Sequence, residues 1–299
     1  MRPIAGRAAR GQEQGMKDLA RHIAACNNVP SPAGLVPFRI GTEQVGWLDP
    51  ELARWLSFRP RDFHFDGNGV SLPAGMRGAA ARERVLADAA KGLEKAGFLK
   101  LRDELFDVRA TPEGPVLARL DRAAIPPFGI ISQGAHLNGL VRRADGLHIW
   151  LGKRARDKAV APGQWDNMVA GGTPAGLTPQ ETLIKEGSEE AGLPPELSGQ
   201  AKPVGRVSYI MRNDEGLRRD VLHVFDLELP EDFTPTPHDD EVEHFELWPA
   251  ARVLEAVRDG DDFKFNVNLV LIDLFLRERL IDPAGPEGRR LRAGLNAGV

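Results

Sequence analysis

Glu186, Glu189 and Glu190 stand at spacings i, i+3 and i+4 within Lys185-Glu186-Gly187-Ser188-Glu189-Glu190. On a helix that spacing puts three carboxylates on one face. Like charges crowded in this way repel unless a cation lies among them, and a hard divalent ion held by carboxylate oxygens is the natural partner. A phosphate-bearing substrate is in turn the natural customer of such an ion, which neutralises phosphate oxygens and acidifies a bound water. Taken alone, an acidic cluster on a helix is usually a solvated face. Here the surroundings argue for more. Gly171, Gly172 and Gly176 make a glycine loop ahead of the cluster. Thr178-Pro179-Gln180-Glu181 then reads as a helix start, with a capping Thr, a first-turn Pro and a reciprocal Glu. Gly192 reads as the stop.

The elements that must position this helix are readable around it. His136–Arg142 and Leu147–Leu151 form a strand pair around Arg143-Ala144-Asp145-Gly146, and Trp165–Ala170 leads into the glycine loop. Arg206–Met211 and Arg219–Leu229 are strands around Asn213–Gly216, and His244–Trp248 is a further one. A helix follows from about Ala250 to Arg258, and Asn268–Glu278 reads as a closing amphipathic helix. Upstream, a helix is expected over Met16–Cys26. Strands are expected at Phe38–Ile40 and Gln44–Trp47, a short helix at Pro50–Leu56, and a hairpin over Phe63–Leu72. A helix over Ala79–Ala96 turns Val85, Leu86, Ala89, Leu93 and Ala96 inward, with Gly97 at its C-terminal end. A second hairpin spans Leu105–Arg109 and Val116–Asp121. Ala123–Pro127 marks a boundary. The division that follows is a loose tail at 1–15, an α+β unit at 16–124, a second domain at 125–282, and a frayed Gly/Pro/Arg-rich tail at 283–299.

Composition excludes several classes. The chain has 299 residues and a net charge of −4, so no basic field argues for nucleic acid. The sole cysteine, Cys26, rules out internal disulfides and multi-thiolate zinc; it is expected to be an inert thiol. No apolar run reaches the roughly 18 residues of a membrane span. The N-terminus lacks an apolar signal core, which leaves the cytosol as the default.

The stretch Lys185-Glu186-Gly-Ser-Glu189-Glu190-Ala-Gly192-Leu193, with Gly171 and Gly176 ahead of it, resembles the Nudix box of nucleoside-diphosphate-type pyrophosphohydrolases. The resemblance covers roughly residues 128–280. His136-Leu-Asn-Gly139 and Trp165-Asp-Asn-Met168, with the upstream extension, resemble a narrower subgroup, related to the Nudix portion fused to thiamine pyrophosphokinase in some fungi. The resemblance implies an α/β/α sandwich around a mixed sheet, preceded here by the small α+β domain. It also implies hydrolysis of a diphosphate bridge in a small-molecule substrate, with Mg²⁺ as cofactor and Mn²⁺ as a substitute. Glu186, Glu189 and Glu190 would be the metal ligands, with Glu186 also a candidate for accepting the proton of the attacking water. An additional acidic residue is expected in Asp239–Glu243, where Glu243 is favoured over Glu241 and a solvated acidic turn is the competing reading.

Two positions depart from the family pattern. Leu177 stands where Glu is expected, and Lys185 where Arg is expected to orient a catalytic Glu through a forked hydrogen bond. Lys supplies the charge without the fork. Gly187, in place of an aliphatic residue, costs the helix about 1 kcal/mol. Gly171 and Gly172 are candidates for approaching substrate. Arg154, with Arg156 and Lys158, is placed to meet phosphates or else to be surface charge. Trp165 is either a stacking platform for a heteroaromatic ring or core. His136 and His148 are expected to be core or edge residues. The N-terminal unit is left with two roles, a part of the substrate pocket or a homodimer surface.

Overall fold

In this computed structural model residues 18–29, 32–76, 78–158 and 160–296 are described. The expected loose segment 1–15 and the first turn of the expected helix at Met16 lie outside them. Helix α1 (Ala20–Cys26) opens the described chain. Gly41, at φ 63°, turns β1 (Val36–Ile40) back into β2 (Glu43–Leu48). Next come α2 (Pro50–Ser57), the short hairpin β3 (His64–Phe65) and β4 (Val70–Ser71), and α3 (Ala79–Lys95). The order in this sheet is β2-β1-β4-β3, with β1 and β4 parallel. In α3 the buried residues are Leu86, Ala89, Ala90 and Leu93, while Val85 is half-buried and Ala96 exposed. The hairpin of β5 (Leu105–Val108) and β6 (Ala118–Asp121) packs against α3.

The second half is built on β7 (Ile131–Arg143), β8 (Gly146–Arg154), β9 (Trp165–Asn167) and β10 (Val169–Gly172). After these come α4 (Pro179–Ala191), the single turn α5 (Pro195–Ser198), and the long strands β11 (Lys202–Asn213) and β12 (Gly216–Glu228). The chain ends with β13 (Val242–Pro249), α6 (Ala250–Asp259), α7 (Val267–Arg277) and α8 (Pro286–Gly294). Seven strands form one mixed sheet, ordered β11-β12-β7-β8-β13, with β10 on β7 and β9 on β8; β7 and β12 are parallel. Alternation along β7 sorts the layers. Ala135, Leu137 and Val141 pack with Leu183 and Ala191 of α4. Leu140 faces the other way, into a core that includes α1, α6, α7 and α8. The result is the expected α/β/α sandwich.

The segment at Ala123–Pro127, expected as a boundary, is packed: Ile125 and Phe128 are buried in the N-terminal core, and Trp47 donates its N–H to Phe128 O at 3.1 Å. Two expectations give way to packing. Helix α1 does not join the unit that follows it. Leu19 at its N-cap, with Ile23 and Cys26 along it, forms an apolar stripe that plugs the core beneath α7 and α8. Residues 283–296 are not frayed. Arg-rich composition suggested it, but α8 sets Leu291 at 0 % exposure, and Leu295 just beyond is also buried. With α1 and α8 over it, α7 is buried almost all round rather than amphipathic.

Candidate active site

Helix α4 forms as its signals require. Thr178 accepts from the Glu181 N–H at 3.2 Å while Glu181 accepts from the Thr178 N–H at 2.8 Å, completing a capping box. Gly192 closes the helix in the left-handed region at φ 61°. Leu177 sits in the turn just before the cap, its N–H on Pro174 O at 3.2 Å. Gly187 is buried, and a Cβ there would stand 3.3 Å from Leu193. The helix therefore gives up propensity at a point of close packing.

The three glutamates have different surroundings. Glu190 is buried and accepts the Ala170 N–H at 3.0 Å. Burial, followed by the charges of Glu186, Asp166 and Glu241, pushes its carboxyl up to about 8 against that hydrogen bond. Glu186 lies against Gly171 so closely that a Cβ at 171 would come within 2.5 Å of its Cγ, which is why the loop needs glycine there. Its carboxyl is raised by burial, with Lys185 opposing and Glu189 and Glu241 adding. Glu189 is the exposed member and pairs with Lys185. The Lys185 ammonium also reaches Glu186 at 3.2 Å, so it bridges two of the three carboxylates. Burial alone would lower the Lys185 ammonium, but these two partners hold it above its ordinary value.

Among the described residues, no three acidic, histidine or cysteine side chains are drawn into a ready metal cluster. The chemistry of the donor set nevertheless suits a hard cation. Glu186 and Glu190, one half-buried and one buried, each raised by burial first and then by like charge, abut one glycine loop, and Lys185 already bridges Glu186 to Glu189.

A cavity of about 460 Å³ opens from Ala170, Gly171 and Gly172. Its walls include Gly134 and His136 of β7, Arg218 and Asp220 of β12, and Lys264 to Asn266 before α7. The N-terminal unit contributes residues from Phe98 to Arg102, Phe106, and Arg122 to Pro127. Arg154 borders this cavity, as expected for a phosphate-facing residue, but its guanidinium is engaged by the protein. It binds Asp166 at 2.8 Å and the carbonyls of Val160 and Ala161 at 3.0 and 3.3 Å. Lys264 completes the neutralisation of buried Asp166 at 3.0 Å. Burial would raise that carboxyl, yet Lys264 and Arg154 hold it low.

Two site expectations are corrected. Trp165 is not a stacking platform: it is 7 % exposed, edge-on to Trp248 and His244, with Lys153 over its ring, and lies in the core. Glu243 does not face the cavity. A register shift between Val242 and His244 in β13 leaves it exposed and paired with Arg156 at 3.6 Å. Glu241 borders the cavity instead, bound to Lys158 at 2.6 Å. Burial raises its carboxyl, but Lys158, Arg154 and Arg122 together bring it below its ordinary value.

The two sequence stretches upstream of α4 meet each other. Asn167 accepts from His136 Nδ1 at 2.9 Å and donates to Asn138 at 2.9 Å, and Asn138 donates to Asp226 at 2.9 Å. Arg277 ends the chain of bonds on Asp226 at 3.1 Å. Gly139 has no room for a Cβ because Met168 Sδ occupies it. His136 is thus held neutral in the core, its pKa lowered to about 4 by burial and then by Lys264. His148 is also buried, bonded to Gly146 O at 3.2 Å, in line with an edge role. Among the cavity residues not singled out from sequence are Arg122, Arg218, Asp220, Lys264 and Asn266. Asp166, which Arg154 and Lys264 neutralise, lies inside the flagged Trp165–Met168 stretch.

Comparison with known proteins agrees with this architecture. A family model described as NUDIX domain matches residues 135–267, and one described as Domain of unknown function (DUF4743) matches 18–132. "Nudix hydrolase 20, chloroplastic" of Arabidopsis thaliana is 38% identical over 276 residues, covering 87% of this chain and 73% of that protein. "Nudix hydrolase 24, chloroplastic" of the same plant is 38% identical over 280 residues, covering 91% and 77%. Among solved structures, DR0079 of Deinococcus radiodurans aligns at a TM-score of 0.44 with 17% identity, over 56% of this chain and 97% of its own. The chain belongs to the Nudix hydrolase family.

Proposed function

We propose that this enzyme is a Mg²⁺-dependent diphosphatase that cleaves thiamine diphosphate, or its oxidised analogues, to the monophosphate. Glu186, Glu189 and Glu190 would hold the cation, and Mn²⁺ would serve in its place. When bound, the ion supplies neutralisation of the diphosphate oxygens and acidification of a water. Glu241, held ionised below its ordinary value and bordering the cavity, accepts the proton of the water that attacks phosphorus. The P–O–P bridge breaks as the new P–O bond forms, and the two products leave as phosphates.

The observation that carries the substrate reading is the end of the cavity away from the glycine loop. Asp214, Glu215 and Asp220 line it against Arg218, which pairs with Asp220 at 2.9 Å and Glu215 at 2.8 Å. Asn266 is buried there, and its Oδ1 has no hydrogen-bond partner. A buried orphan acceptor carries a desolvation cost until a donor meets it. A ring with an exocyclic amine, joined to a cationic ring, offers that donor and suits the acidic surroundings. Phe265, with Arg218 5.8 Å over its ring, borders this end and gives such rings apolar contact.

The test is a Mg²⁺ assay of thiamine diphosphate and oxidised thiamine diphosphates beside ADP-ribose, nucleoside diphosphates and a dinucleotide. The thiamine compounds are expected to have the highest kcat/KM. A higher value for ADP-ribose or a nucleotide would overturn the substrate assignment. Binding without turnover of any diphosphate would overturn the assignment of a hydrolytic role and make the domain a ligand-sensing module.

A further inference from the structure

We infer that the N-terminal unit supplies the cations that grip the diphosphate, Arg122 foremost, so that the substrate site of the Nudix fold is incomplete without it. The inference rests on reading the cavity as a diphosphate site.

The cations around the cavity fall into two sets. Those of the Nudix half are already neutralised: Arg154 and Lys264 hold Asp166 at 2.8 and 3.0 Å, Lys158 holds Glu241 at 2.6 Å, and Arg218 holds Asp220 at 2.9 Å. Every guanidinium nitrogen of Arg154 and Arg218 is also engaged by the protein, so neither has a donor pair left for an incoming anion. The N-terminal set differs. Lys100 and Arg102 are exposed and make no side-chain ion pair among the described residues. Arg122 uses only Nη1, on Glu104 at 2.9 Å, and its Nε and Nη2 make no hydrogen bond among the described residues.

Arg122 is also the one held against the reactive loop. Its guanidinium carbon stands 3.7 Å from where a Cβ on Gly172 would be, one residue beyond the glycine that receives Glu186. It lies 5.5 Å over the Phe106 ring, and that ring leaves Gly172 no space for a side chain. Leu105 O, next to Phe106, accepts the Ala175 N–H at 2.7 Å, so the hairpin and the glycine loop are joined by backbone. Glu104 and Phe106 fix the guanidinium while Nε and Nη2 remain as a fork. A planar fork matches two phosphate oxygens, which a lysine ammonium meets only as a point charge.

The experiment is calorimetric titration of the full-length protein with methylenediphosphonate and Mg²⁺, which reads binding without turnover. It is paired with steady-state kinetics on thiamine diphosphate. Arg122→Ala is expected to weaken methylenediphosphonate about ten-fold or more, the usual scale for losing charge-assisted hydrogen bonds. Arg122→Lys should recover part of that loss, and Arg122→Gln serves as a second neutral variant. Arg84→Ala, on the exposed side of α3 away from the cavity, should bind as the unaltered protein does. Unchanged binding in Arg122→Ala and Arg122→Gln, or an equal loss in Arg84→Ala, would overturn the inference while leaving any measured hydrolysis standing. Arg122-dependent binding with no turnover of any diphosphate would support it and overturn the hydrolytic reading instead.

Discussion

The two walls of the cavity solve opposite problems. On the Nudix side charge is balanced internally: Asp166 against Arg154 and Lys264, Glu241 against Lys158, Asp220 against Arg218. What remains unbalanced there is negative, on the carboxylates of α4 that abut Ala170 and Gly171. On the N-terminal side Lys100, Arg102 and Arg122 have donors to spare. An anion bridged by a cation needs both kinds of wall. The division suggests that catalysis and anion capture are carried by different parts of the chain, and it can be broken or sharpened experimentally.

The largest effect is expected from Glu190→Gln. Gln is isosteric and still accepts the Ala170 N–H, and it removes a buried carboxyl whose ionised form is disfavoured, so the fold should survive with a thermal midpoint no lower than that of the unaltered protein. The loss of a cation ligand should lower kcat on the order of 10²–10³-fold, several kcal/mol of transition-state stabilisation. Glu186→Gln should behave alike, and Glu189→Gln, at the exposed position, should also remove most activity. Methylenediphosphonate titrations would show whether the walls are separable. If Glu190→Gln and Arg122→Ala change kcat and KM in the same proportions, the division of labour is wrong.

Leu19→Ala tests which wall α1 supports. Leu19 is fully buried in the core shared with α7 and α8, so truncation should cost about 2–5 kcal/mol in urea unfolding. The loss should be largest for probes of the Nudix half, although α1 precedes the N-terminal sheet in sequence. A loss confined to the N-terminal unit would put α1 back with the neighbours that follow it.

His136 offers a pH lever on the same half. Its folded-state pKa of about 4 lies below the ordinary 6.5, so between these values the unfolded chain binds the extra proton. The contribution is fully present above pH 6.5 and is lost as pH falls toward 4, to a limit of about 3 kcal/mol. Urea midpoints across that window should fall with pH in the unaltered protein and flatten in His136→Gln. An equal slope in both would mean that other groups carry the pH dependence.

What the sequence made legible was local. Thr178, Glu181 and Gly192 bracket α4 through contacts within the helix and its ends, so the loop-helix-loop and the placement of three glutamates could be read without the rest of the chain. What it hid was set by distant partners. Trp165 looks equally suited to stacking or core until Trp248, on β13, closes over it. Arg122 reads as an unremarkable residue before a proline boundary, because Gly172 and Phe106 meet only in the fold. The buried face of α8 is masked by its arginines, since Leu291 and Leu295 alone form its apolar stripe. The paired stretches at His136–Gly139 and Trp165–Met168 were visible as patterns, but their meaning, one hydrogen-bonded network, needed the sheet to bring them together.

The choice between Glu241 and Glu243 gives a smaller, sharper test, because two residues of the same type lie two positions apart, one in the turn before β13 and one on the strand. Glu241→Gln is expected to lower kcat about 10²-fold, at the low end for removal of a proton acceptor, and to shift the acid limb of the pH–rate profile. Glu243→Gln, paired outward with Arg156, should stay within about two-fold, since exposed ion pairs contribute little. A reversal would mean that the register shift in β13 is absent in solution.

The smallest effect concerns Lys185, where the sequence pattern leads one to expect arginine. Its ammonium already touches both Glu186 and Glu189, so one positive charge is shared between two carboxylates. What lysine lacks is a fork able to hold both carboxylates in one plane. Lys185→Arg should therefore change kcat by only about two- to five-fold, upward, with KM unaltered, because bidentate geometry adds order and not charge. Lys185→Ala removes the charge as well and should lower kcat about five-fold, at the upper end of what a partly exposed pairing contributes. If Lys185→Arg instead raised the rate a hundred-fold, the carboxylate wall would be limited by orientation, and the lysine would mark an enzyme held well below its family's capacity.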